Sequence, residues 1–117
     1  MEQRPSPARV RAEIQAFVRL YRAMDGTAIG LASVSMDGLD QSWRDRVQRI
    51  RALPREAPRR KHMIEALIKL IEHTLWKQRD TLDTLKSTDP TLAAEALTIA
   101  KRGETNADSP EPSTSNG

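Results

Sequence analysis

One apolar stripe in the second half of the chain limits the folds open to it more than any other feature. Apolar residues that recur at intervals of three and four lie on one face of an α-helix. Here they continue, with one glutamine in phase, through Ile64, Leu67, Ile68, Ile71, Leu75, Gln78, Leu82 and Leu85. The pattern predicts one long helix over about 58–87. We expect its core or dimer seam to consist of Ile64, Leu67, Ile71, Leu75, Leu82 and Leu85.

The length of this predicted helix bears on the oligomeric state. About 30 residues at a rise of 1.5 Å give a helix of about 45 Å. A compact domain of about 100 residues is narrower than this, so a monomeric globule would leave one end of the stripe unburied. An elongated hairpin, or a dimer that pairs the long helices, would bury it, and we expect the homodimer.

The rest of the core must be built almost without aromatic side chains. Phe17, Tyr21, Trp43 and Trp76 are the only ones in 117 residues. An aliphatic core suits packed helices better than a sheet. The sequence therefore predicts an all-α fold, an elongated helical hairpin or bundle of about four helices with one long helix.

The N-terminal segment predicts a first helix over 8–24. Ser6 can cap it, Pro7 fits its first turn, and the Asp25–Gly26 pair stops it. Its apolar face consists of Val10, Ile14, Phe17, Tyr21 and Met24. The following segment, 27–36, contains small residues and a glycine, and we expect an irregular or helical entry there.

A second helix is predicted over about 37–53, with Asp37 as its N-cap and Asp40 in its first turn. Its apolar face consists of Leu39, Trp43, Val47, Ile50 and Leu53. Trp43 lies on that face and is expected in the core. Pro54 ends the helix, because the residue before a proline is disfavoured in the α conformation.

A last short helix is predicted to begin at Asp89–Pro90 and to end at Gly103. From residue 104 onward the chain is polar and rich in proline and serine, so we expect 104–117 to be a disordered tail. The predicted organisation is a single helical domain over 1–103 followed by that tail.

Composition argues for a cytoplasmic protein without catalytic machinery. The chain contains no cysteine, which fits a reducing compartment, and we expect neither a signal peptide nor a membrane-spanning segment. His62 and His73 are separated by about 16 Å along one helix, too far to share a metal ion. No nucleophile motif or phosphate-binding loop is present. We expect no enzyme activity, cofactor or metal.

Charge is concentrated around the second helix. Residues 44–61 contain 8 Lys or Arg and 2 Asp or Glu, although the whole chain carries only +3. Such a segment could neutralise DNA phosphates, and a DNA-binding regulator that uses 44–61 is one interpretation. However, the helix after the turn presents apolar residues where a recognition helix would present base-reading ones, so nucleic acid is the second choice.

Protein contact is the first choice. Trp76 lies away from the apolar stripe of its helix, so it is either covered by another helix or an exposed aromatic anchor for a partner. The bend before the long helix places Arg55, Arg59, Arg60 and Lys61 beside the positive end of a helix dipole, where local stability would favour acids. We expect Trp76 and these four residues to bind a partner protein.

A family resemblance points in the same direction. The words "ALP" at 52–54 and "HMIEALIKLIEHTL" at 62–75, after an amphipathic helix, resemble the TraM family of quorum-sensing antiactivators of conjugal-transfer plasmids. The likeness covers about 29–86, and neither the helix at 8–24 nor the last helix and tail at 88–117 has a counterpart in it. It implies a dimer of long antiparallel helices that sequesters a LuxR-type transcriptional activator, and no enzyme activity.

Overall fold

The protein is all-helical, as the sequence predicts. The computed structural model describes residues 6–24, 31 and 33–108. These residues contain five α-helices and no strand. The helices are α1 (Pro7–Met24), α2 (Gln41–Arg51), α3 (Pro58–Lys77), α4 (Arg79–Leu85) and α5 (Pro90–Asp108). Within the described part of the chain, no helix is both long enough and apolar enough to cross a membrane.

The chain divides into two compact units, Met1–Ile68 and Lys69–Gly117. Helix α3 runs through the boundary between them. The single helical domain over 1–103 therefore stays a prediction.

Helix α1 begins as its sequence indicates. The Ser6 hydroxyl accepts a hydrogen bond from the backbone N–H of Arg9 at 3.2 Å, and the Ser6 carbonyl accepts one from Val10. One face of the helix is buried, and it consists of Ile14, Ala16, Phe17, Val18, Leu20, Tyr21 and Met24. Of the predicted face, only Val10 in the first turn is half-buried rather than buried.

The core of the first unit joins α1 to α2 through an aromatic pair. The rings of Phe17 and Trp43 meet edge to face, with centroids 4.8 Å apart. Trp43 is 8% exposed, which confirms it as a core residue. Leu39, Val47 and Ile50 of the predicted face are buried as well, whereas Leu53 is half-buried.

The start of α2 differs from the prediction. Asp37 does not cap the helix, because Asp37 and Gly38 form a turn in which Gly38 has φ +93°. A Cβ on Gly38 would lie 2.7 Å from the Ala12 carbonyl oxygen. The N-cap is Asp40, whose carboxylate accepts from the Trp43 N–H at 3.1 Å. The helix begins at Gln41, and its N-cap lies three residues later than predicted.

The segment predicted as an irregular or helical entry, 27–36, lies partly outside the described residues. Leu31 and Ser33 have helical backbone, and 34–36 have no regular structure. Leu31 is fully buried.

The predicted stretch 58–87 is helical over most of its length, but the helix is interrupted at Gln78. That residue has φ −100° and ψ +20°, and its N–H donates to both the Thr74 and the Leu75 carbonyls. Helix α3 therefore has 20 residues and a length of about 30 Å. The predicted seam is still buried in the single chain: Leu67, Ile71, Leu75, Leu82 and Leu85 are at most 7% exposed, and Ile64 is half-buried. Burial of the seam thus needs no second copy, and the homodimer stays a proposal.

Helix α5 begins as predicted but does not end at Gly103. Asp89 caps it, since its carboxylate accepts from the Leu92 N–H at 3.2 Å. Gly103 is a buried residue inside the helix, which continues to Asp108. Residues 104–108 are therefore helical and not part of a disordered tail. The remainder of that predicted tail, 109–117, lies outside the described residues.

Candidate protein-binding surface

The basic segment 44–61 is not one continuous docking surface, because several of its arginines bond to backbone carbonyls. Arg44 Nε donates to the Leu39 carbonyl at 3.0 Å. Arg51 donates from Nε to Leu31 at 3.0 Å and from Nη2 to Val34 at 2.6 Å. A guanidinium with several donors in a fixed plane suits this bridging of carbonyls. These side chains hold the segment before α2 against the helix.

Arg46 is engaged locally. Its guanidinium lies 5.4 Å from the centre of the Trp43 ring, and its Nη1 donates to the Ser42 carbonyl at 3.3 Å. The side chain remains exposed. Arg46 thus covers the outer face of Trp43, while its charge remains in contact with solvent.

Arg60 does not lie on a surface open to a partner. It is only 6% exposed, and its Nη1 donates to the Leu53 carbonyl at 3.1 Å. The side chain ties the first turn of α3 to the residues that follow α2. Three basic residues in succession, 59–61, are typical of a solvated turn, but the middle side chain, Arg60, is buried. The sequence pattern does not distinguish Arg60 from its two neighbours.

Three predicted docking residues are exposed: Arg55, Arg59 and Lys61. We call these three the basic bend. The turn that presents them is closed by two backbone bonds, from Ala57 to the Pro54 carbonyl at 3.1 Å and from Arg60 to the Ala57 carbonyl at 3.0 Å.

The charge around the basic bend favours an anionic group. The first turn of α3 contains no acidic residue, so the basic side chains add to the positive end of the helix dipole. Arg49 near the end of α2 and His62 in α3 are exposed as well. Glu56 is the one acidic side chain within the turn itself. The exposed side chains of residues 55–62 are therefore mainly cationic.

Trp76 is half-buried and belongs to the second unit. The Arg79 guanidinium lies over its ring, 4.3 Å from the centroid. Arg79 Nη1 also donates to the Trp76 carbonyl at 3.0 Å. Neither predicted alternative describes the residue fully, since the ring is partly covered and an arginine of the same chain lies on one face. The pairing was missed because Arg79 comes after an interruption that the sequence pattern does not show.

One pair of carboxylates was also missed. Burial raises the pKa of Glu13, the nearby Asp40 raises it further, and Arg9 opposes this. The hydrogen bond from the Trp43 N–H is the main cause of the lowered pKa of Asp40. The sequence does not show this pair, because Glu13 and Asp40 are far apart in the chain and the turn at Gly38 brings Asp40 towards α1.

Neither His62 nor His73 belongs to a metal-binding group of side chains among the described residues. His62 is exposed and His73 half-buried. Throughout residues 6–24, 31 and 33–108, no three His, Cys, Asp or Glu side chains are grouped so that they could hold a metal ion.

Comparison of the chain with protein-family models, with curated proteins and with solved structures gave no match.

Proposed function

We propose that the protein is a non-enzymatic regulatory or adaptor protein that binds an acidic surface of a partner protein through the basic bend. One observation supports this above the others. Arg44, Arg51 and Arg60 bond to backbone carbonyls, whereas Arg55, Arg59 and Lys61 are exposed in the same part of the chain. The closed turn already restrains the backbone that presents these cations, so binding has to order mainly their side chains.

The proposed partner is a transcriptional activator, and the proposed mode of action is its sequestration in the cytoplasm. The resemblance to the TraM antiactivators names this class, and it also supports the homodimer as the acting form. Trp76 is the second proposed contact. A half-buried tryptophan can supply apolar contact area, although Arg79 must move for a partner to cover the whole ring.

Affinity capture from the native host, with charge-reversed bait, tests the proposal. The variant Arg55→Glu/Arg59→Glu/Lys61→Glu should lose a partner that the wild type retains. The matched control is Arg9→Glu/Arg11→Glu/Arg22→Glu, which makes the same change in net charge at exposed residues of α1. Equal loss in both variants would mean that capture follows net charge, and the proposal would fail.

A DNA-binding regulator is the second candidate, because the same exposed cations together with Arg49 could contact phosphates. Four phosphate contacts would give a log–log salt dependence with a slope of about −3.6. A mobility shift with that salt dependence, selective for sequence and lost in Arg55→Ala/Arg59→Ala, would favour this candidate over protein contact.

A further inference from the structure

No helix-breaking residue type explains the interruption at Gln78. Between residues 59 and 85 the chain contains neither proline nor glycine, the usual causes of a sharp helix break. The apolar stripe also continues in phase from Leu75 to Leu82. The hydrogen bonds from Gln78 N–H to Thr74 and from Leu82 N–H to the Gln78 carbonyl have ordinary helical spacing. The two helices are therefore separated by a single residue, Gln78, whose φ of −100° and ψ of +20° lie outside the α-helical range around −63° and −42°.

Arg79 supplies a specific reason for the interruption. In an uninterrupted helix the Trp76 carbonyl would accept from the backbone N–H of Asp80. Here it accepts from the Arg79 guanidinium at 3.0 Å, and the same guanidinium lies 4.3 Å from the Trp76 ring centre. The Arg79 side chain thus donates to the carbonyl of Trp76, in the last turn of α3, and also covers the ring of Trp76. Both contacts form only while Arg79 folds back towards Trp76.

We propose that the Arg79–Trp76 pair is a latch that keeps α3 and α4 separate, and that its release joins them into one helix from Pro58 to Leu85. Packing of α4 on α5 also favours the separate state, so the joined helix is the minor form of the free protein. Release uncovers the Trp76 ring and lengthens the helix in one step. A ligand that displaces Arg79 from the ring would thereby change the backbone at Gln78. This inference does not rest on the basic bend, because the backbone change that it concerns lies at Gln78, in the second unit.

The latch is tested by NMR on Arg79→Ala, with Arg79→Gln as a second variant and Lys77→Ala as a control. Lys77 is an exposed cation two residues away. We expect both Arg79 variants to move the Gln78 Cα shift towards helical values and to slow amide exchange of Asp80 several-fold, while Lys77→Ala changes neither. Unchanged Gln78 and Asp80 signals in the Arg79 variants would show that the pair does not hold the interruption. Faster exchange along α4 would show that Arg79 supports the helix, and would equally overturn the latch.

Discussion

Gly103 of α5 packs against the carbonyl group of Glu72 in α3 so closely that a Cβ at position 103 would overlap the carbonyl oxygen. The same Cβ would lie 2.9 Å from the backbone nitrogen of His73. Three alanines of α5 are buried as well, namely Ala93, Ala96 and Ala100. Together with Gly103 they recur at intervals of three and four residues, so they lie on one face of the helix. Small residues on one face allow α5 to approach the backbone of α3 in the second unit.

Replacing Gly103 by alanine should destabilise the protein, against the usual trend. Glycine to alanine inside a helix normally stabilises by about 1 kcal/mol. Here backbone must shift to admit the methyl group, and we expect a loss of about 1–3 kcal/mol in urea unfolding. Ala94→Gly, at an exposed site of α5, is the control and should cost about 1 kcal/mol. A more stable Gly103→Ala variant would show that the close approach does not exist.

The identity of the α2 cap can be checked by comparing two aspartates. Asp40→Ala removes the acceptor of the Trp43 N–H and should cost about 1 kcal/mol. Asp37→Ala leaves that bond in place and should change the free energy of unfolding little. Chemical denaturation of both variants measures the difference. Equal costs, or the larger cost at position 37, would restore the predicted cap.

Glu13 and Asp40 should affect the pH dependence of stability in opposite directions. The pKa of Glu13 is raised above 4.5, mainly by burial, so its contribution is full below pH 4.5 and is lost as pH rises through the raised pKa. The pKa of Asp40 is lowered below 3.8, mainly by the Trp43 N–H. Its contribution is present above pH 3.8 and is lost as pH falls through the lowered pKa.

The Asp40→Asn variant tests the coupling of these two carboxyl groups. Asparagine also caps helices well, but it removes the negative charge beside Glu13. Carboxyl-carbon NMR should show the pKa of Glu13 above 4.5 in the wild type and lower in the variant. A pKa of Glu13 that does not respond to Asp40→Asn would show that the two groups do not interact.

Arg51 should be worth more to folding than Arg49, although both are arginines near the end of α2. Arg51 joins the Leu31 and Val34 carbonyls to the helix, whereas Arg49 is exposed. Losing bonds from a charged donor to part-buried carbonyls costs about 1.5–3 kcal/mol. Thermal and urea unfolding should show this loss in Arg51→Ala, part of it in Arg51→Lys, and almost none in Arg49→Ala. Similar stability for all three would mean that Arg51 does not anchor the segment.

Apolar spacing was a reliable guide to the helices and their buried faces. The faces that contain Phe17, Trp43 and Ile71 were predicted from spacing alone, because burial of an amphipathic face requires only the correct period. Spacing could not show the interruption at Gln78. That feature depends on where one arginine side chain folds, and the apolar pattern continues in phase across it.

The candidate surface was predicted less well than the core. A run of basic residues in a sequence does not show which guanidinium groups will meet backbone carbonyls, and so Arg60 was assigned to the surface. The misplaced end at Gly103 has a similar origin. Glycine ends many helices, but inside a helix it also allows a second helix to pack closely. Only the contact of Gly103 with the Glu72 carbonyl shows that the second role applies here.

Calorimetric titration with the purified partner, obtained by affinity capture, measures whether the basic bend binds an acidic surface. We expect the affinity to fall about tenfold or more in Arg55→Glu/Arg59→Glu/Lys61→Glu, to weaken with added salt for the wild type, and to remain nearly unchanged in the α1 control. Affinity that is unchanged in the bend variant, or reduced equally in both variants, would show that the basic bend is not the binding surface.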